Sequence, residues 1–315
     1  MNYTSIKDID SLSDWVFDAI KIKKNPLKNK KLGKNKTLGL LFFNPSLRTR
    51  LSTQKAAQNL GMNIMVMNFT NEGWTLEFEE GAIMNSGASE HIKEAAKVVS
   101  QYCDIIAIRA FAELKNKDVD NSEMVLNGFL KYASVPIVNM ESATGHPLQS
   151  LADAITMQEY KTKHKPKVVL SWAPHPKALP QAVVNSFIEM MQLQEANFVI
   201  THPKGYELNP EIVKNSNVEY NQDKAFENAD FIYAKNWSNY NDYGEITNSD
   251  PNWTITAKKM QLTNKAKFMH CLPVRRNVIV SDEVLDSENS IVIEQANNRT
   301  YAAQLVLQKI LENEK

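Results

Sequence analysis

Two arginines and two hydroxyls fall within the five residues Ser46-Leu47-Arg48-Thr49-Arg50, directly after the apolar run Leu38 to Phe43 and Pro45. The run has the length of a strand, and its lack of alternation predicts a parallel strand covered on both faces. Pro45 favours leaving that strand, and Ser46 is placed to cap the helix expected from Thr49 to Leu60. Orphan N–H groups at a helix start, two hydroxyls and guanidinium forks suit a phosphate without requiring a metal. The glycine-rich run of a nucleotide-binding P-loop, ending in Gly-Lys-Ser/Thr, is absent. Composition alone fits an ordinary strand-to-helix turn with two surface arginines equally well.

Three separated motifs decide between these readings. Ser46-Leu47-Arg48-Thr49-Arg50 resembles the Ser-x-Arg-Thr-Arg motif of the aspartate and ornithine carbamoyltransferase family. His146-Pro147-Leu148-Gln149 resembles its His-Pro-x-Gln motif, and His270-Cys271-Leu272-Pro273 the His-Cys-Leu-Pro motif of the ornithine branch. The resemblance implies attack by an unprotonated amine on carbamoyl phosphate through a tetrahedral intermediate, with phosphate leaving. Carried over by motif, Ser46, Leu47, Arg48, Thr49 and Arg50 hold phosphate, and Arg48 and Thr49 also polarise the carbonyl. Arg109, at the end of Ile105 to Ile108, bridges phosphate and carbonyl oxygen, and Arg299 completes the pocket. His146 donates a hydrogen bond to the carbonyl oxygen, so its role is electrophilic. Gln149 binds the carbamoyl amide. Cys271 and Leu272 turn backbone carbonyls toward that amide and the attacking amine. Cys271 orients and is not a covalent nucleophile, because only adjacent His270 accompanies it. Trp74 resembles a tryptophan inserted into a neighbouring subunit's phosphate site, and the family implies a homotrimer. No metal, nucleotide or organic cofactor is implied.

The acceptor is read from a departure. Where ornithine carbamoyltransferases carry Asp-x-x-x-Ser-Met-Gly, this chain has Tyr233-Ala234-Lys235-Asn236-Trp237-Ser238-Asn239-Tyr240, with no acid. A free α-ammonium would lose its anionic partner there, whereas an acylated nitrogen carries no charge. That departure resembles the N-acylornithine branch, which implies Glu90, Glu141, His175, Lys235, Cys271, Arg275 and Arg276 at or near the acceptor. Arg275 and Arg276 suit the second carboxylate of a succinyl group, and protein salt bridges are the other reading of Arg276. Ile279 looks succinyl-like and Glu90 acetyl-like, the latter reaching a neighbour's acceptor pocket. Local grammar instead makes Ser89 an N-cap and Glu90 a first-turn acid. Transfer to another amine such as putrescine and a noncatalytic phosphometabolite-binding subunit are the competing readings.

The elements that must position these residues alternate between strand and helix, as stacked βαβ units do. In the first half, helices are expected at 12–22, 49–60, 92–102 and 122–132, with strands at 38–43, 63–67, 105–108 and 135–140. A helix over 147–160 leads to strands at 168–172, 197–201, 231–234, 266–269 and 291–293, a helix at 181–193 and a last helix at 301–311. The fold expected is α/β with two domains, each a parallel sheet flanked by helices, and the active site in the interdomain cleft. Residues 1–145 with the C-terminal helix 299–315 form the carbamoyl phosphate domain, and 146–298 the acylornithine domain.

The 315 residues fit two domains, and 43% hydrophobic content fits a compact protein. Lys plus Arg equals Asp plus Glu at 36 each, which gives no general attraction to nucleic acid or an anionic membrane. The lysines at 28, 30, 31, 34 and 36 read as a solvated loop, because no aromatics interleave with them. Cys103 and Cys271 alone make neither a disulfide framework nor a thiolate metal site. The polar start and the lack of a long apolar run lead to a cytoplasmic expectation.

Overall fold

The structure, a computed structural model, describes residues 1–85 and 87–313. The chain forms two compact units, one of Met1–Leu148 with the segment from Arg299 onward, the other of Gln149–Asn298. The sequence reading divided the chain three residues earlier, and the last two residues of its C-terminal segment, 314–315, lie outside the described residues.

The first unit runs α1 (Leu12–Lys24), β1 (Thr37–Phe42), α2 (Arg48–Leu60), β2 (Asn63–Asn68), β3 (Leu76–Glu77), β4 (Glu90–His91), α3 (Ile92–Tyr102), β5 (Ile105–Arg109), α4 (Lys117–Asn121), α5 (Met124–Tyr132) and β6 (Ile137–Glu141). Its main sheet has the order β2-β1-β5-β6, all parallel, with Leu38 opposite both Ile64 and Ile105. β1 is buried from Leu38 onward, as its unbroken apolar run requires, whereas edge strand β2 leaves Met65 and Met67 exposed. Leu41, Ile106 and Ile108 pack with Ile92, Ala95 and Ala96 of α3 and Leu126 and Phe129 of α5 in one core cluster. α2 ends at Gly61, whose φ of 78° and approach to the Lys30 carbonyl both exclude a side chain; an added Cβ would lie 2.2 Å from that oxygen.

α6 (Pro147–Tyr160) carries the chain into the second unit. There follow β7 (Lys167–Trp172), α7 (Ala182–Met191), β8 (Asn197–Thr201), α8 (Pro210–Val213), β9 (Asn217–Val218), α9 (Gln222–Phe226), β10 (Phe231–Lys235), α10 (Ala257–Met260), β11 (Lys267–Met269) and α11 (Asp282–Leu285). The parallel sheet has the order β11-β10-β7-β8-β9. α12 (Val292–Asn313) leads back into the first unit. Both sheets therefore reverse direction next to their first strand, between β1 and β5 and between β7 and β10. In open parallel sheets this switch point opens a crevice at the carboxyl ends of the strands.

The structure corrects four local expectations. Residues 291–293 are not a strand: after Ile291 N bonds the Phe268 carbonyl, the chain enters α12, which starts nine residues before the expected last helix. A β-branched triplet is too short to show a period, and the good helix formers after it prevail. Ser46 does not cap α2; Leu47 is the N-cap, with no side-chain cap bond. Ser89 does not cap α3 either. His91 does, accepting from Lys93 N, and Glu90 lies in β4 paired with Leu76. The helix expected from Ser122 begins only at Met124, because Ser122 caps the end of α4 and Glu123 between them has a φ of 49°. Of the lysine cluster, 28, 30, 31 and 34 are exposed, and Lys36 pairs with Asp104 at 2.9 Å.

Candidate active site

In the first unit, the residues after β1 and β5 meet those before α6 and in α12. Arg109, at the end of β5, is 8% exposed. Its Nη1 donates to the Asn44 and Pro45 carbonyls (3.1 and 2.7 Å), which pins the turn leading into Ser46. Its Nε and Nη2 meet Glu141 Oε2 at 3.0 and 2.9 Å. Glu141, expected near the acceptor, is thus the counter-charge of Arg109, because a buried guanidinium needs acceptors on every side. From α12, Arg299 donates through Nη2 to Thr49 Oγ1 (2.6 Å) and lies 3.3 Å from His146 Nε2. The same Nε2 lies 3.7 Å from Glu141 Oε2, so a guanidinium and a carboxylate both face it.

The start of α2 adds donors to this group. With no side-chain cap at Leu47, the first-turn N–H groups of the helix lie beside buried Thr49 and partly buried Arg48. Ser46 is half-buried and Leu47 exposed. Arg50 bonds Asn68 Oδ1 (3.2 Å) and sits over the Phe42 ring. Together these groups are donors and cations held by the protein's own contacts, an arrangement whose chemistry suits an anion. Trp74 is 57% exposed, and its Nε1 donates to Glu90 Oε2 at 2.8 Å. The two residues expected to reach a neighbouring subunit are thereby joined.

In the second unit, Lys235 closes β10 and His175 follows β7, on the two sides of the switch point. Asn236 Nδ2 ties these strand ends together through the Ala173 carbonyl (2.7 Å). Lys235 is 9% exposed, and its ammonium makes no hydrogen bond or ion pair with any described residue. Arg275 Nε donates to His175 Nε2 (3.0 Å), and His175 Nδ1 lies against the Lys177 backbone, 2.8 Å from its carbonyl and 3.0 Å from its N–H. Burial pushes the His175 pKa down, and the charges of Arg275, Lys235 and Lys177 push the same way. Two cations and an imidazole are thus gathered, and neither cation is ion-paired with an acid among the described residues. Arg276 forks onto Asp282 and Asp286 (2.6–2.8 Å), the protein salt bridges of its other reading.

The remaining expected residues are connected by groups that the sequence did not single out. Gln149 Nε2 donates to Asp153 Oδ1 (2.7 Å), one turn further along α6. Gln295 Nε2 donates to the same oxygen (2.8 Å), and Gln295 Oε1 accepts from His270 N (2.9 Å). His270 Nδ1 accepts from Leu272 N (3.0 Å), which fixes the turn at Cys271 and Leu272; Leu272 has a φ of 51°. Tyr233 is fully buried against Asp153 and Cys271, and burial raises its phenol pKa well above the ordinary range. Asp153 carries a signal in retrospect, as an acid four residues after Gln149 on one helix face. Gln295 had none, because its segment was read as following a strand. No group of three or more His, Cys, Asp or Glu side chains able to hold a metal ion occurs among the described residues. No helix among them is long and apolar enough to cross a membrane.

Comparison with known proteins gives this geometry a context. Residues 2–159 match the carbamoyl-phosphate-binding domain of aspartate/ornithine carbamoyltransferases, and residues 180–310 match the aspartate/ornithine-binding domain. The chain is 53% identical over 313 residues to an N-succinylornithine carbamoyltransferase of Bacteroides fragilis (strain 638R), covering 99% of this chain and 98% of that one. It is 34% identical to an N-acetylornithine carbamoyltransferase of Xanthomonas axonopodis pv. citri (strain 306), covering 96% of each. Among solved structures, an acetylornithine transcarbamylase complexed with acetylcitrulline superposes with a TM-score of 0.92 at 33% identity, covering 98% of this chain and 99% of that one.

Two outcomes follow from the geometry. Arg299→Lys keeps the charge but loses the fork that reaches Thr49 and His146, so titration calorimetry should show inorganic phosphate binding weakened about tenfold. Unchanged affinity would remove Arg299 from the anion site. His175 and His202 both have folded-state pKa values lowered mainly by burial from an ordinary 6.5. Their contribution to stability is complete above that value and falls as pH drops through it toward the depressed pKa. The thermal midpoint should therefore decrease between about pH 7.5 and about pH 5.5, and a His175→Asn/His202→Asn double variant should flatten part of that decrease. An equally steep loss in the double variant would count against this account.

Proposed function

Because the chain belongs to the aspartate/ornithine carbamoyltransferase family, and so is a carbamoyl-transferring enzyme, we propose that its acceptor is the δ-amine of Nα-succinyl-L-ornithine. The products are N-succinyl-L-citrulline and phosphate, on a route to arginine. The deprotonated amine attacks the carbonyl carbon of carbamoyl phosphate, the tetrahedral intermediate expels phosphate as the C–O bond breaks, and the new amide nitrogen loses its proton. Negative charge grows on the carbonyl oxygen and the leaving phosphate, so fixed guanidinium and hydroxyl donors stabilise the transition state more than the ground state. In this reading Arg48, Thr49, Arg50, Arg109 and Arg299 serve the phosphate and carbonyl, with His146 as electrophile. Gln149 faces the carbamoyl NH₂, and the Cys271–Leu272 turn faces the amines.

The observation that carries the acceptor assignment is Lys235, a side chain 9% exposed whose ammonium has no partner among the described residues and which, with Arg275, acts electrostatically on His175. A buried cation without an internal acid calls for an anionic ligand. Arg275 adds a second cation, whose terminal nitrogens have no partner among the described residues. Two cations suit the two carboxylates of succinylornithine. They do not suit putrescine, which has none. The higher identity to an N-succinylornithine relative supports the same choice. A second reading, acetylornithine, is favoured by Glu90, whose carboxylate would repel a succinyl carboxylate if it faces the acyl group.

Citrulline-product formation measured in parallel with succinyl-, acetyl- and free ornithine tests both readings. Succinylornithine should lead, and Lys235→Gln should raise its KM by at least about tenfold with a smaller change in kcat. Preference for acetylornithine would assign the specificity to Glu90, and turnover of free ornithine alone would defeat the acyl reading.

The exposed loop bearing Trp74, Ile83 and Met84 supports a further part of the proposal, a homotrimer in which Trp74 and Glu90 complete a neighbour's site. Arg48→Ala and Trp74→Ala should each be nearly inactive. A co-assembled mixture of the two should recover about a quarter of wild-type activity, since one site in four would draw intact groups from both chains. No recovery would mean that Trp74 serves its own chain.

A further inference from the structure

We propose that Asp153 is a positioning residue, whose carboxylate fixes which end of the Gln149 amide is presented to substrate and thereby selects an NH₂-bearing acyl phosphate. The inference rests on the reading above that Gln149 faces the carbamoyl amide. Asp153 is fully buried on α6, and its Oδ1 accepts from two amide groups, Gln149 Nε2 at 2.7 Å and Gln295 Nε2 at 2.8 Å. A carboxyl oxygen that accepts is matched by the NH₂ end of each glutamine and not by the carbonyl end.

The direction of Gln295 is fixed independently, because its Oε1 already accepts from His270 N at 2.9 Å. Turning the Gln295 amide over would break that bond and set two oxygens against each other. The hydrogen bonds therefore run with one polarity from the backbone of the His270–Leu272 turn through Gln295 to Asp153. Gln149 is the last member of the chain. Its Nε2 is committed to Asp153, and its Oε1 must point away. That oxygen is buried and has no hydrogen-bond partner among the described residues. A buried carbonyl held as a pure acceptor matches the N–H of a carbamoyl group and penalises a methyl group in the same place, since the unmatched acceptor keeps its desolvation cost.

Acetyl phosphate makes the test specific, because it keeps the phosphate and carbonyl of carbamoyl phosphate but lacks the NH₂. In the full-length enzyme, Asp153→Leu should raise the carbamoyl phosphate KM at least about tenfold while leaving the Ki of acetyl phosphate as a competitive inhibitor within about twofold. Introduced into Gln149→Ala enzyme, the same substitution should change the carbamoyl phosphate KM by less than about threefold, because its effect passes through Gln149. If Asp153→Leu does not fold, Asp153→Asn retains an acceptor oxygen and should show the same selectivity and non-additivity at smaller amplitude. Equal weakening of both acyl phosphates, or full additivity with Gln149→Ala, would overturn the role of Asp153. Unchanged carbamoyl phosphate kinetics in Gln149→Ala would instead overturn the reading of Gln149 on which the role depends.

Discussion

Charge taken out of water must meet opposite charge or a complete set of hydrogen bonds, and that requirement organises both units of this protein. Arg109 is held by Glu141 and two carbonyls of the turn after β1, so one side chain both fixes the phosphate loop and keeps its own charge compensated. Arg299 is placed by Thr49 and His146. Asp153 collects the amide donors of two glutamines. Lys235 alone in this set has no such partner among the described residues, which makes it the most informative side chain for what the protein binds.

Sheet topology explains why such groups can converge within each unit. Parallel strands deliver their carboxyl ends to one edge, and the reversal of strand order beside β1 and beside β7 separates neighbouring crossover connections there. The Ser46–Arg50 segment and Arg109 arrive from the two sides of one reversal, and His175 and Lys235 from the two sides of the other. Long side chains then need only local hydrogen bonds to be fixed. This is the rigidity that catalysis by fixed donors requires, because reorganisation at the moment of reaction would consume the gain.

The alternation of strands and helices, the parallel character of β1 and the motif residues around Ser46, His146 and His270 are legible in the sequence. Those properties are written in local periodicity and in short contiguous segments, which need no knowledge of distant partners. The sequence also held the absence of an acid near Lys235, since an absence in one segment is legible there.

Tertiary structure decided the pairings. That Glu141 serves Arg109, that Arg276 serves Asp282 and Asp286, and that Gln295 reaches Asp153 across 142 residues are facts of distance, which composition does not encode. The same reason explains the local misreadings. Ser46 and Ser89 are good capping residues, and Ile291-Val292-Ile293 is a good strand triplet, yet each preference is worth only about 1 kcal/mol. Packing of a whole helix against its core outweighs that amount, so the chain takes its caps and boundaries from the assembled fold.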